Sequence, residues 1–460
     1  CQRITSIVLR VRLRVHGAHF VSLCHIVTTH LNSDALRVSG CRPLRGRIQI
    51  PGDKGITHRA LIASAFAEGE SAIKGCATGQ DVLHTRSVLQ ELGVEIQSSG
   101  LQSISINGQG VQSFSPSQSV LDCGNSGTTL RMMTGVLAAS TFNSELTGDA
   151  SLRSRPMGRV VDPLRLMGAN IEYGEVAGNA PLFVKGSVLE GSSIEISVSS
   201  GQVKSACLFA GLQAQGVTEI NEPAPSRDHT ERLLEALGAP IERVSETCIR
   251  IKSGSIKPFE LNVPGDASSA AFLIVAALIT PGSLVTIEEM GLNPLRIRYI
   301  ELLKNMGAQI VVDETGERLG EPIGSVRVES SQLKGCIIEA SEGIIDEIPI
   351  LAVAAAFAQG ETEFRQVAEL KVKESDRIST LTQELGRLGV EVESGEDLLI
   401  INGGQPQPGQ VSSHGDHRLA LSLAVAANAL TGDTVIEGWS AADVSYPDFV
   451  FDLDRLTAGQ

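Results

Sequence analysis

The stretch PGDKGITHRALIASAFAEGES, residues 51–71, decides the fold. It opens with Gly, Asp, Lys and Arg and runs into small apolar residues with no polar face, which reads as a helix with its basic head at the N-terminus. A helix that is apolar all round needs cover on every side and is therefore buried. Its first turn carries unpaired N–H groups and a partial positive charge, to which Lys54 and Arg59 add two full charges. That combination favours an anion.

The same design recurs along the chain. A polar, Gly-rich head leading into an Ala-rich helix, a turn and a strand appears as GDKGITHRAL from Gly52, DCGNSGTTLR from Asp122 and SSGQVKSACL from Ser199. It returns as GDASSAAFLI from Gly265, IIDEIPILAV from Ile344 and GDHRLALSLA from Gly415. Between the heads lies a second pattern, a helix ending Leu-x-x-Leu/Met-Gly before a short strand, as in VLQELGVEI from Val88 and LLKNMGAQI from Leu302. The Gly supplies the left-handed cap that stops each helix. The expected architecture is α/β, with wholly apolar helices inside and sheets outside, in two domains of three units. The near-identical heads PGDK from Pro51 and PGDAS from Pro264 suggest the cut. One discontinuous domain would hold residues 35–52 and 265–460, residues 53–264 would form the inserted domain, and 1–34 would be a leader without fixed structure. Parallel buried helices point their N-termini at one face, so two opposed domains make a cleft of strong local positive potential.

Composition narrows the function. With 38 basic against 53 acidic residues the net charge is −15, which repels nucleic acid and anionic membranes at long range. Aromatics at 3% leave no base-stacking surface, and the apolar runs are broken before they could span a bilayer. Neither nucleic acid nor membrane is expected as a partner, and an anionic substrate must be caught by a local basic pocket. The eight cysteines form no CxxC pair and no His/Cys ligand spacing, which points to reduced thiols, a cytoplasmic location and no metal site. The first residues hold Arg3, Arg10, Arg12 and Arg14 and nothing acidic before Asp34, a pattern also fitting an organelle-targeting peptide, so a plastid is the alternative location.

The heads differ from one another, and the differences carry the chemistry. Head one supplies Lys54 and Arg59; head two Gly127, which lets a ligand approach backbone, and Arg131, followed by Arg155. Head three supplies Ser200, Gln202 and Lys204 as donors suited to phosphate oxygens, with Arg227 downstream. Head five puts Asp346 and Glu347 at a buried helix start, KVKESDR gathers Lys373, Glu374, Asp376 and Arg377, and head six adds His417 and Arg418. Some of these have a structural reading: Arg153 and Arg159 as surface or structural groups, His58 and His417 as hydrogen-bonded residues, Glu347 and Asp376 as partners orienting nearby cations. Lys54, Arg155, Lys373, Arg377 and Arg418 are different, because five cations at the heads of apolar elements repel one another unless anions bind between them. Asp346 and Glu374 are then the acid/base candidates, carboxylates tuned by neighbouring cations. No phosphate-binding P-loop, nucleophile elbow or dinucleotide fingerprint is present. The pattern suits two phosphorylated or carboxylated small molecules and the transfer of a group between them.

At these residues the chain resembles the 5-enolpyruvylshikimate-3-phosphate synthase family, across nearly all of residues 36–456. PGDKGITHRA, GNSGTTLR, RSRPMG, SSGQVKSA, IDEIPILAVAAAFA, VKESDR and GDHR are similar to family signatures in the family's order, with QVKSA and SRDHTE closer to the bacterial branch described as class II. The resemblance implies the two-domain inside-out α/β barrel of the enolpyruvyl transferases, each domain three βαβαββ units. It implies transfer of the enolpyruvyl group of phosphoenolpyruvate to the 5-hydroxyl of shikimate 3-phosphate, through a tetrahedral intermediate, by a monomer needing no metal or organic cofactor, and a target of glyphosate. Carried onto this sequence, Lys54 would touch both substrates. Gly55, Arg59, Ser200, Gln202 and Arg227 would surround shikimate 3-phosphate, and Arg155, Arg377 and Arg418 would clamp phosphoenolpyruvate beside Gly127 and Gln202. Asp346 would take the hydroxyl proton, Lys373 would bind that hydroxyl, and Glu374 would protonate the methylene carbon.

Three departures stand out. Gly55 replaces the family's Ser and removes one hydroxyl donor, worth about 1 kcal/mol of binding. Gly201 replaces a second Ser of enteric-type members, and SYPDF near the C-terminus lacks a Lys that some members carry. The related UDP-N-acetylglucosamine enolpyruvyl transferases use a K-N head and a reactive loop Cys, neither of which is here. A non-catalytic repeat scaffold would have no use for Asp346 and Glu374 among so many cations, and a silent homologue is the reading that Gly55 invites.

Overall fold

A computed structural model describes residues 34–100, 102–110, 114–340 and 343–458. The expected leader falls outside these except for Asp34, whose carbonyl and carboxylate accept bonds from Gly438 N, Ser440 N and Ser440 Oγ at 2.7 Å each.

The six apolar stretches fold as six buried helices: Lys54–Phe66, Gly127–Leu137, Gly201–Gly211, Ala267–Ile279, Ile348–Ala356 and His417–Ala429. In Ala267–Ile279 every residue is buried. Burial this complete leaves the first-turn N–H groups to be met locally, and in five helices the head does so with a side-chain cap. Asp53 accepts from Ile56 N, Ser126 from Thr129 N, Ser200 from Val203 N, Asp266 from Ser268 N and Asp416 from Arg418 N. Ile348–Ala356 is the exception, with Glu347 at the cap position making no such bond.

Around the helices lie six sheets among the described residues, five of four strands and one of three, none closing into a barrel. The five four-stranded sheets follow one plan. In the first, Glu68–Lys74 pairs antiparallel with Ser103–Gln109, which pairs antiparallel with Glu95–Ser98, while Glu260–Asn262 joins parallel at the other edge. The chain's early strands complete sheets built hundreds of residues later: Arg45–Gln49 lies parallel to Leu284–Gly291, and Ala35–Ser39 antiparallel to Asp433–Glu437. The buried apolar residues accordingly form two cores, one from 36–50 with 267–456 and one from 56–263. Contact between inner helices depends on small residues, most tightly where Gly135 meets the backbone of Ala206.

Candidate active site

The six heads open on one cleft of about 510 Å³ between the two cores. Lys54, Gly127, Gln202, Ser268, Asp346 and Arg418, one from each head, all line it. So do Gly55, Arg59, Arg155, Ser200, Arg227, Lys373, Glu374 and Arg377, so these residues share one space, while Lys204 does not join them.

The carboxylates sit among the cations. Asp346 Oδ2 accepts from Arg227 Nη2 at 2.6 Å and lies 3.9 Å from Arg418 Nη2, while its Oδ1 lies 3.5 Å from Lys373 Nζ and 3.7 Å from Arg377 Nη1. Burial works to raise its pKa, but Lys373, Arg227, Arg418 and Arg377 outweigh it and hold the carboxyl well below the usual range. Glu374 accepts from Arg377 Nη2 at 2.7 Å and lies 3.4 Å from Arg155 Nη1. Burial again opposes ionisation, and the cations Arg377, Arg155 and Lys373 again win. Arg377 therefore stands between the two carboxylates. It is itself fixed by Asp416, through Nε at 2.8 Å, and this carboxylate also caps His417–Ala429.

On the opposite wall, Lys54 Nζ bonds Asp81 Oδ2 at 2.9 Å and its backbone N bonds Asp266 Oδ2 at 3.0 Å. Arg59 spends its donors on neutral partners, Thr230 Oγ1, Gly55 O, Gly201 O and Ser205 Oγ, and burial lowers it to about 10. Gln202 is oriented by Arg131 Nη1 on its Oε1 at 2.6 Å and donates to Thr128 Oγ1 at 2.9 Å. Arg155 Nη2 donates to Asn125 Oδ1 at 2.6 Å. A Cβ at Gly127 would make ordinary contact, at 3.5 Å, with Nη1 of both Arg131 and Arg155. Gly201 has a local cause, since a Cβ would come within 3.0 Å of Arg227 Cβ and carbonyl oxygen.

His58 and His417 both line the cleft with Nε2 unpartnered; burial first of all lowers them to about 3 and about 4, so both are neutral near pH 7. His58 Nδ1 meets Thr85 Oγ1 at 2.6 Å. Asp376 caps Arg377–Arg387 through Ser379 N, a structural role.

One reading needs correction. Lys204 does not face the cleft: its Nζ is buried between Glu222 at 2.6 Å and Glu231 at 2.8 Å, because position 204 falls on the side of its helix turned toward Glu222 and Glu231. Arg159, read as surface or structural, forms an ion pair with Glu369 at 3.1 Å, and that pair borders the cleft. Sequence reasoning missed Asp81, the partner of Lys54, and Arg296, which bridges Asp53 at 3.4 Å and Asp266 at 3.3 Å, the caps of two heads from different cores. Neither lies in a head, so the repeat could not reveal them. Among the described residues no cysteine lines the cleft, and the buried thiols Cys76 and Cys207 are pushed up to about 12 by burial.

The family model for EPSP synthase (3-phosphoshikimate 1-carboxyvinyltransferase) matches residues 38–453. A 3-phosphoshikimate 1-carboxyvinyltransferase of Synechococcus sp. is 49% identical over 439 residues, covering 94% of this chain and 98% of its own. An enzyme of that name from Thermus thermophilus is 47% identical over 428 residues, covering 92% and 99%. Among solved structures, an EPSP synthase from Acinetobacter baumannii superposes with a TM-score of 0.81 at 38% identity over 91% of this chain and 97% of its own. The enolpyruvyl transferase NikO from Streptomyces tendae shares the fold, with a TM-score of 0.76 at 18% identity over 92% and 98%.

Proposed function

The chain belongs to the EPSP synthase family, and on that premise we infer that it transfers the enolpyruvyl group of phosphoenolpyruvate to the 5-hydroxyl of shikimate 3-phosphate, releasing phosphate, in aromatic amino acid biosynthesis. Ser200, Gln202 and Arg227 hold the shikimate-bound phosphate, Arg59 the shikimate carboxylate, and Lys54 reaches both substrates. Arg155, Arg377 and Arg418 clamp phosphoenolpyruvate. Asp346 takes the proton of the 5-hydroxyl, positioned by Lys373, as that oxygen adds to the substituted carbon of phosphoenolpyruvate. Glu374 protonates the methylene carbon, and loss of a proton from the resulting methyl expels phosphate. The cations carry the charge that develops on the way.

The observation that carries this reading is the pair Asp346 and Glu374 on either side of Arg377 in one cationic cleft. Both are held ionised by cations alone. Two bound polyanions would offset those cations, raise both carboxyls toward the working range, and so make substrate binding itself the step that readies the acid. Two domains built on the two cores, acting as a monomer in the cytoplasm or a plastid, complete the proposal.

Mixing purified protein with shikimate 3-phosphate and phosphoenolpyruvate should release phosphate, and Asp346→Asn and Glu374→Gln should each lower kcat by roughly 100-fold or more. Binding of both ligands without phosphate release would identify a silent homologue instead.

A further inference from the structure

Lys204 extends from the third buried helix into a pocket of carboxylates behind the cleft wall. Its ammonium donates to Glu222 Oε1 at 2.6 Å and the carbonyl of Ser226 at 3.3 Å, and forms an ion pair with Glu231 Oε1 at 2.8 Å. Glu222 in turn accepts from Ser226 N at 3.1 Å and Ser226 Oγ at 2.5 Å. The side chains of Lys204, Glu222 and Glu231 are 3%, 1% and 1% exposed, so the cluster touches neither solvent nor substrate. Burying three charges is unfavourable unless their geometry is well satisfied, and a well-packed apolar set would often be at least as stable. The cluster's bonds converge on one place, the backbone and side chain of Ser226. The next residue is Arg227, which lines the cleft.

A second lock acts on the same loop: Ser199 Oγ donates to Ala224 O at 2.7 Å and accepts from Ala224 N at 3.0 Å. On the far side, Asp228 is held by Asn293 at 2.7 Å and Arg232 at 2.8 Å. Arg227 is thus a cleft cation on a segment fixed before and after it.

We propose that Lys204, with Glu222 and Glu231, is a positioning residue for Arg227 and sets the affinity for the phosphate of shikimate 3-phosphate. This rests on the function proposed above. A guanidinium recognises phosphate by directed N–H bonds, so a small displacement of its anchoring backbone loses bonds as well as Coulomb attraction. Phosphoenolpyruvate is clamped by Arg155, Arg377 and Arg418, none of which lies on this loop, and Arg227 reaches Arg377 and Arg418 only through Asp346.

The test compares wild type, Lys204→Met, Lys204→Met/Glu231→Gln, which returns the buried cluster to its original net charge, and Ser226→Ala. Calorimetry gives Kd for shikimate 3-phosphate, steady-state kinetics give KM for both substrates, and thermal melting gives stability. The double variant should regain most of the Tm lost by Lys204→Met, yet keep a Kd for shikimate 3-phosphate raised roughly tenfold, with KM for phosphoenolpyruvate within about twofold of wild type. Ser226→Ala should move Kd in the same direction with a smaller loss of Tm, which keeps the comparison decisive if Lys204→Met does not fold. Recovery of Tm and Kd together in the double variant, or an equal rise in both KM values, would overturn the proposal and leave the cluster a purely structural one. Wild type that binds shikimate 3-phosphate without turnover would sink the functional reading, while the Kd comparison would still decide this one.

Discussion

At Gly55 the missing side chain has a cause beyond the substrate. A Cβ there would lie 3.1 Å from Asp53 Oδ1, the atom that caps the first buried helix through Ile56 N at 2.8 Å. A Ser would restore a hydroxyl to the cleft while crowding that cap. Gly55→Ser is therefore expected to tighten shikimate 3-phosphate by about 1 kcal/mol and to lower Tm, measured by calorimetry and melting on the same sample. No change in affinity would mean the hydroxyl turns to Asp53. The histidines make a separate prediction. His58 titrates at about 3 in the folded protein against 6.5 as a free side chain, and His417 at about 4. Above pH 6.5 neither state binds the proton and stability is full. As pH falls below 6.5 the unfolded chain takes up protons that the folded one refuses, so each group removes roughly 1.4 kcal/mol per pH unit until its folded value is reached. The carboxylates Asp346 and Glu374, depressed from 3.8 and 4.5, act only lower down. Between pH 6.5 and 5 the melting temperature of His58→Gln should fall less steeply than that of wild type; parallel curves would refute a neutral His58.

Among the elements, the heads were legible because capping chemistry is local: Asp53, Ser126, Ser200, Asp266 and Asp416 each lie within a few residues of the N–H groups they satisfy. How the helices meet was not legible, since contact depends on residues far apart in the chain. Gly135 illustrates this: a Cβ there would stand 2.2 Å from the carbonyl oxygen of Ala206 on the neighbouring buried helix. Gly135→Ala should destabilise by about 1 to 3 kcal/mol through overpacking. Gly386, exposed within Arg377–Arg387 and with nothing within 4 Å of an added Cβ, offers the opposite sign. Gly386→Ala should stabilise by roughly 0.5 to 1 kcal/mol by restricting the unfolded chain. Urea unfolding of the two variants beside wild type reads both effects.

Taken whole, the protein is an acidic body with a cationic interior cleft, at −15 overall. Its cations are balanced partly by pairs that cross between the cores, Arg227 with Asp346 at 2.6 Å, Arg159 with Glu369 at 3.1 Å and Arg155 with Glu374 at 3.4 Å. Anionic substrates must pass the negative exterior and then compete for those cations. Added salt screens the exterior repulsion, but at these concentrations chloride also competes directly with the substrates for the cleft cations, and that competition outweighs the lost repulsion. KM for both substrates should therefore rise between about 0.05 M and about 0.5 M NaCl, with the larger rise for the more highly charged shikimate 3-phosphate at fixed pH. A fall in both KM values would show that long-range repulsion dominates.

The amino-acid sequence by itself determined the repeating unit, the buried helices and the identity of the cations and carboxylates at their heads, because periodicity, capping and helix polarity act over a few residues. Only the tertiary structure decided that Lys204 turns away from the cleft, that Arg159 turns toward it, and that Asp81 and Arg296 join as partners. Burial of a charge is settled by what the rest of the chain brings against it, and those partners lie tens to hundreds of positions away.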